Sequence, residues 1–401
     1  MGLPLSIAFS EKYETKAYDV NEKRIQELQN SFDRNQDISE TLIKNSNVCF
    51  TANLEEISDS NIFIITVPTP VDDENIPDLT ILLSASKTIA PFLKKNDIVI
   101  YESTVYPGVT EDECVPVLEN YSGLKYNFDF FCGYSPERIS PSEKDGQLQK
   151  IIKLVSGSNK TTTDVVEELY RSIIPAGTHR TSSIKVAEAA KVVENTQRDV
   201  NIALINEIAI MFDKMNINTS EVLEAASTKW NFVDIKPGLV GGHCIGVDPY
   251  YLTYKSEKMG FRPNLILSSR EINNSVPNFI VKKTIKLLIK NNKSIKNSKI
   301  LILGYTFKEN CSDTRNTQVQ KIIDELEEYG CNVSFHDPYI KNHNKCEKNP
   351  FTKHKFYDAI IIAVAHKEFF SYSKKDFKLI SNGKLVLLDV KGVIKNPTWQ
   401  F

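Results

Sequence analysis

In its first third the chain alternates short runs of β-branched and aromatic residues with stretches whose apolar positions recur every three to four residues. That alternation predicts strands over 16–19, 62–67, 98–101 and 128–134, with helices such as 22–30 and 79–93 between them. Short apolar strands separated by helices belong to a parallel sheet covered on both faces, so a doubly wound topology is expected. Over 184–215 the helical period runs unbroken, well beyond the ordinary length of about 11 to 12 residues, and a helix that long commonly bridges domains. Shorter helices are expected after it, the last over 277–291. The stretch 291–298 is polar and aperiodic, which marks a boundary. The alternation then returns, with strands over 299–303, 331–336, 359–364 and 385–390 and a helix over 316–329. The expected fold is α/β, with two doubly wound domains (1–178 and 293–401) joined by a long central helix and a helical middle domain (179–292). Ligands tend to sit in the cleft that such an arrangement leaves.

Composition narrows the function. A chain of 401 residues exceeds one ordinary core. Its net charge of −2 carries none of the basic surplus of a nucleic-acid or anionic-membrane binder. The lysines of 282–299 read as a solvated helix face and linker. No apolar run reaches the roughly 18 residues that span a bilayer, and the start lacks a secretory pattern, so a cytoplasmic protein is expected. Seven cysteines without a CxxC pair argue for free thiols. The dispersed histidines suggest no metal site.

Asp19 ends a predicted strand and Arg24 follows in the next helix, where a dinucleotide domain places the acid that holds ribose hydroxyls. An acid there favours NAD over NADP, although an aspartate at this point also caps helices. Gly2 resembles the last glycine of a phosphate-binding turn. The first strand of a Rossmann-like sheet and the earlier glycines would precede it, so a central sheet position is expected to be unfilled. The segment 241–251 carries Gly241 and Gly242 before Cys244, with Asp248 four residues on. Glycines there let a ligand approach and present a thiol, and the carboxylate can hold a water or proton; a glycine turn with an inert thiol has the same letters. Lys191 and Asn195 share one face of the long helix, which serves either solvent or a site. Glu102-Ser103-Thr104 and Ser135-Pro136-Glu137-Arg138 follow predicted strands, where open α/β sheets hold ligands.

Together, Val67-Pro68-Thr69-Pro70, Ser103-Thr104-Val105, Ser135 to Arg138, Lys191 with Asn195, Gly241 to Cys244 with Asp248, and Thr306 to Asn310 with Asp313 to Arg315 resemble, in order, the UDP-glucose and GDP-mannose dehydrogenase family. The phrases at 244–252 and 307–316 are similar to its branch acting on UDP-N-acetylglucosamine or UDP-N-acetylgalactosamine. Pro141 stands where UDP-glucose enzymes carry a second glutamate. The resemblance implies oxidation of a UDP-sugar at C6 with NAD as cofactor, through a covalent adduct on Cys244. Lys191 and Asn195 would stabilise the oxyanion, Asp248 and a water held by Thr104 would take protons, and Glu137 would support hydrolysis. It implies cofactor contacts at Gly2, Asp19, Arg24, Val67, Pro68, Thr69, Ser103, Thr104 and Arg315. Substrate contacts are implied at Glu137, Arg138, Lys191, Asn195, Lys236, Gly238, Gly241, Gly242, Arg270, Lys308 and Lys391. A homodimer built on the long helix is implied as well. UDP-N-acetylmannosamine or UDP-glucose oxidation, a 3-hydroxyacid dehydrogenase, and a truncated protein that binds UDP-sugar without catalysis are the competing readings.

Overall fold

The computed structural model describes residues 2–35, 38–138, 150–340, 343–352 and 355–401. It divides into two compact units, residues 1–194 with 250–261 and residues 195–249 with 262–401.

In the first unit, β3 (Ile62–Ile65), β4 (Ile98–Tyr101) and β5 (Phe131–Tyr134) run parallel in the register Ile62, Ile98, Phe131. β6 (Lys153–Gly157) joins β5 antiparallel, and β7 (Thr178–Arg180) lies parallel to β6. β1 (Thr15–Tyr18) and β2 (Val48–Thr51) form a separate parallel pair. The opening helix Gly2–Ser10 buries Leu5 and Phe9 in a core shared with Ile98, Ile100, Val155, Val166 and Tyr170. β5 starts three residues later than the pattern suggests because Phe128 stands 81% exposed in a turn beside Asn127, whose φ is 59°.

The second unit holds an all-parallel sheet, β12-β11-β10-β8-β9, formed by β8 (Lys299–Leu303), β9 (Asn332–His336), β10 (Ala359–Ile362), β11 (Leu387–Asp389) and β12 (Trp399–Gln400). The helix Val319–Glu328 buries Val319, Ile322, Ile323 and Leu326, the single stripe that a 3.6-residue period creates, in one core with Val276, Ile280 and Leu288. Those three belong to Asn264–Lys290, one helix of 27 residues. The expected start at 277 is therefore corrected: Pro277 lies buried inside that helix. A proline costs a helix one backbone hydrogen bond and a steric clash, and the packed face that continues on both sides of Pro277 offsets that cost.

Helix Ile184–Met215 has the bounds that its periodicity predicts. Among the described residues no helix is long and apolar enough to cross a membrane. Within the first unit the same helix anchors the loop after β4. Glu188, fully buried, accepts from the peptide N–H groups of Gly108 (2.6 Å) and Thr110 (2.9 Å), where a turn of π-helix (Val109–Cys114) leads into Val115–Ser122. Burial pushes the Glu188 carboxyl up to about 7; the two N–H donors oppose this and the charge of Glu111 adds to it.

Two stability predictions follow from these contacts. Gly304, which directly follows β8, has φ +85°, and a Cβ there would lie 2.4 Å from Val364 Cβ. Gly304→Ala is expected to cost about 2 kcal/mol or more in urea denaturation. Because folding raises the proton affinity of Glu188, the native state binds more protons than the unfolded chain between about pH 4.5 and 7. Stability from this group therefore declines as pH rises through that window. Urea midpoints of wild type minus Glu188→Gln should fall by the equivalent of about 3 kcal/mol from pH 4.5 to 8; a flat difference would contradict the burial argument.

Candidate active site

In the first unit the predicted ligand loops leave the carboxyl ends of β3, β4 and β5 and are tied to one another. Ser103 Oγ donates to Val67 O (2.6 Å) and Thr69 Oγ1 to Thr104 O (2.6 Å), and Tyr134 OH donates to Ser103 O (3.1 Å). Tyr251 OH donates to Thr69 O (2.6 Å). Pro68, which has no N–H to satisfy, sits within this lacing. Glu137 follows β5 and is buried, and its N–H donates to Glu102 O (3.4 Å). Beneath it the Glu102 carboxylate meets Lys153 Nζ at 3.1 Å and receives Tyr170 OH at 2.5 Å. Burial raises the proton affinity of Glu102, Lys153 opposes that, and the nearby Glu137 charge adds to it. Pro141 lies outside the described residues.

Asp19 immediately follows β1, and its Oδ1 accepts from Asn21 N (2.8 Å). Asn21, rather than Asp19, caps the helix Glu22–Gln29, by accepting from Arg24 N (3.0 Å). The Asp19 carboxylate is thereby held at a strand end without being consumed as the cap. A Cβ on Gly2 would lie 2.7 Å from Thr66 Oγ1, the close helix-to-strand approach that the last glycine of a dinucleotide turn serves. These two features fit a dinucleotide. Arg24 instead directs its guanidinium to buried Asp33 (2.6 Å). Against the rise that burial alone would give, Arg24 and the N–H groups of Ile38 and Asn35 hold that carboxyl below its ordinary range. Arg138 pairs with Glu194 (2.8 Å) and donates to Ile152 O (2.6 Å).

Lys191 is buried in the first unit, one helical turn before Asn195 of the second. In the second unit Cys244 O accepts from Val247 N (3.2 Å) and Asp248 N (2.8 Å), closing a turn that leaves the Cys244 side chain exposed. Asp248 is buried, and its Oδ2 accepts from Asn195 Nδ2 at 2.5 Å. The glycines before the cysteine are needed for close approach: a Cβ on Gly242 (φ +81°) would lie 2.7 Å from the Phe307 ring, and one on Gly241 would lie 2.7 Å from Asn316 O. Between them and the thiol, burial and then the charge of Arg315 keep His243 below the usual histidine range. Arg315 itself forks onto Asp313, Nη2 to Oδ2 at 2.6 Å.

A cleft in this unit is lined by Leu239, Gly241, Phe307, Lys308, Glu309 and Lys391, among others. A Cβ on Gly238 would lie 2.9 Å from Lys391 Nζ, so the loop carrying Lys236 and Gly238 passes directly over that ammonium. Burial pulls Lys391 below the usual lysine range, Glu309 opposing and Lys236 adding to the effect. The loop is fixed from below by residues that the sequence reading missed. Asn206 receives Gly238 N (2.8 Å) and donates to Gly238 O (3.0 Å) and to Asn273 Oδ1 (2.8 Å), and Asn273 in turn donates to Asp199 Oδ1 (2.7 Å). Arg270, expected at the substrate, is 3% exposed and donates to Asp199 (2.6 Å) and Asn274 (2.8 Å), in the layer supporting that loop. Polar residues inside apolar helical runs, such as Glu188 and Asn206, were the available signal for these supports. No grouping of three metal-ligating side chains occurs among the described residues.

Family models match three consecutive stretches: the NAD binding domain of the UDP-glucose/GDP-mannose dehydrogenase family over 1–174, its central domain over 185–275 and its UDP binding domain over 301–396. The chain is 49% identical to a UDP-N-acetyl-D-glucosamine 6-dehydrogenase of Pseudomonas aeruginosa, with 98% of this chain and 94% of the relative aligned. It is 48% identical to Protein CapL of Staphylococcus aureus, over 99% and 94% of the two chains. The solved UDP-D-ManNAc dehydrogenase of Pyrococcus horikoshii superposes with a TM-score of 0.92 at 30% identity, covering 100% of this chain and 96% of the other. With loops laced at strand ends, an acid at the end of β1 and all three family domains matched in order, the chain belongs to the UDP-glucose/GDP-mannose dehydrogenase family and is an NAD-dependent UDP-sugar dehydrogenase.

Proposed function

We propose that the chain oxidises C6 of a UDP-N-acetylhexosamine, UDP-N-acetylglucosamine or UDP-N-acetylgalactosamine, to the uronic acid, in the cytoplasm and as a homodimer, for capsule or O-antigen synthesis. The observation that carries this reading is the turn exposing Cys244 over Asp248, whose carboxylate is hydrogen-bonded to Asn195. The relatives named UDP-N-acetyl-D-glucosamine 6-dehydrogenase, at 49% and 47% identity, support the sugar; those named UDP-N-acetyl-D-mannosamine dehydrogenase stand at 29% to 34%. In this reading 1–178 holds the cofactor, 179–292 the catalytic loop and 293–401 the nucleotide sugar.

Gly2, Asp19, Val67, Pro68, Thr69, Ser103 and Arg315 would hold NAD, and two NAD molecules bound in turn would each accept one hydride. Loss of the first hydride from the C6 alcohol leaves an aldehyde that has no second hydride to give until a nucleophile makes the carbon tetrahedral. The Cys244 thiolate adds to that carbon, with the Lys191 ammonium and the Asn195 amide donating to the resulting oxygen. Collapse of the adduct with loss of the second hydride gives a thioester. Glu137 supports its hydrolysis by water, which releases the carboxylate and restores the thiol. Asp248, oriented by Asn195, and a water held by Thr104 take up the protons released along the way. Lys308, Lys391, Lys236 and the peptide units of Gly238, Gly241 and Gly242 would bind the nucleotide sugar.

With UDP-N-acetylglucosamine limiting and NAD in excess, two NADH per sugar are expected, and one per sugar would remove the thioester step. Folded Cys244→Ala should yield no more than one NADH per sugar; two would refute the cysteine. Lys191→Ala and Asn195→Ala should each lower kcat about 10²- to 10³-fold. A panel including UDP-N-acetylgalactosamine, UDP-N-acetylmannosamine and UDP-glucose ranks the substrates. Binding of UDP without NAD binding or turnover would favour the non-catalytic alternative.

A further inference from the structure

The second unit contains a fully buried histidine–aspartate couple that this chemistry does not use. In the order β10-β8-β9, β8 is the middle strand and runs into the Thr306–Asn310 loop. Asp337 follows β9 and His366 lies just beyond β10, so the two flanking strands deliver their polar residues over the loop that leaves the strand between them. His366 Nε2 lies 2.9 Å from Asp337 Oδ2, and both side chains are 0% exposed.

The surrounding peptide groups settle the tautomer. Asn310 N, which can only donate, points at His366 Nδ1 at 3.0 Å, so Nδ1 carries the lone pair and the proton sits on Nε2. That N–H is directed to Asp337, with Thr306 Oγ1 at 3.2 Å as a second acceptor because the Thr306 hydroxyl proton is given to Lys308 O (2.8 Å). Asp337 Oδ2 also accepts from Tyr305 N (2.7 Å) and Thr306 N (3.1 Å). Asn310 Oδ1 accepts from Lys367 N (3.0 Å), adjacent to the histidine. The backbone is therefore held at 305 and 306 on one side of Lys308 and at 310 on the other, and Lys308 lines the cleft between these fixed points.

We propose that the His366–Asp337 couple is a positioning device for Lys308, clamping both ends of its loop so that the ammonium is presented to the diphosphate of the nucleotide sugar. The couple touches neither substrate nor cofactor and acts only through the loop. The proposal rests on the reading of Lys308 as a nucleotide-sugar ligand. A loop held this way binds an anion without first spending conformational entropy on ordering the backbone.

The test is a double-mutant cycle in the full-length protein, read by calorimetric titration with UDP alone and by steady-state kinetics. Lys308→Ala and His366→Asn should each weaken UDP binding about tenfold, the scale of one charge-assisted hydrogen bond. The double variant should bind within about twofold of Lys308→Ala, since a residue acting only through Lys308 has nothing further to lose. KM for the UDP-sugar should rise in His366→Asn while kcat and KM for NAD stay near wild type. Should His366→Asn fail to fold, His366→Gln, which keeps a donor for Asp337 but leaves Asn310 N without its acceptor, is read in its place. Wild-type UDP affinity in the folded histidine variant, or additive losses in the double variant, overturns the proposal and leaves Lys308 as a ligand. Wild-type affinity in Lys308→Ala overturns that ligand assignment as well.

Discussion

The proposed reaction needs a nucleophile whose backbone is fixed and whose thiol is solvent-exposed, and one tight turn gives Cys244 both. The carbonyl of Cys244 is closed on by the N–H groups of Val247 and Asp248, while the thiol remains exposed. The same turn buries Asp248 and hands its carboxylate to Asn195 of the long helix. The turn exists only because Gly241 and Gly242 let the backbone pass against Asn316 and Phe307, positions where any side chain would collide.

The polar networks share one logic, in which a buried side chain satisfies peptide groups that no strand or helix partner satisfies. Glu188 serves Gly108 and Thr110, Asn206 serves Gly238, and Asp337 with His366 serves Tyr305, Thr306 and Asn310. Such groups are expensive to bury, and their energetic return lies in the single conformation they leave available to the loop. Asp199 with Arg270 extends the principle one layer deeper, beneath Asn273 and Asn206.

Several charges singled out in the sequence proved to have protein partners. Arg24 meets Asp33, Arg138 meets Glu194, Arg315 meets Asp313 and Arg270 meets Asp199. Arg315, itself exposed, forks onto Asp313 with both Nε and Nη2. Arg270 is desolvated together with Asp199, so removing one partner would leave the other charge buried and uncompensated.

The sequence by itself determined what depends on local periodicity and on motif order. The 32 residues of Ile184–Met215, the strands Ile98–Tyr101 and Lys299–Leu303, and the family to which the chain belongs were legible there. In these elements the apolar spacing matches the geometry of the element, and a run of several weak motifs in fixed order is jointly specific. Strands such as Val48–Thr51 and Thr178–Arg180 were not legible, being three or four residues long and largely exposed or half-buried, with too little alternation to register. Nor was the continuity of the helix through Pro277, which local propensity opposes and packing imposes. Only the tertiary structure decided which polar side chains support which loop. Asn206 meets Gly238 across 32 positions and His366 meets Asp337 across 29, and contacts between residues so far apart leave no local pattern.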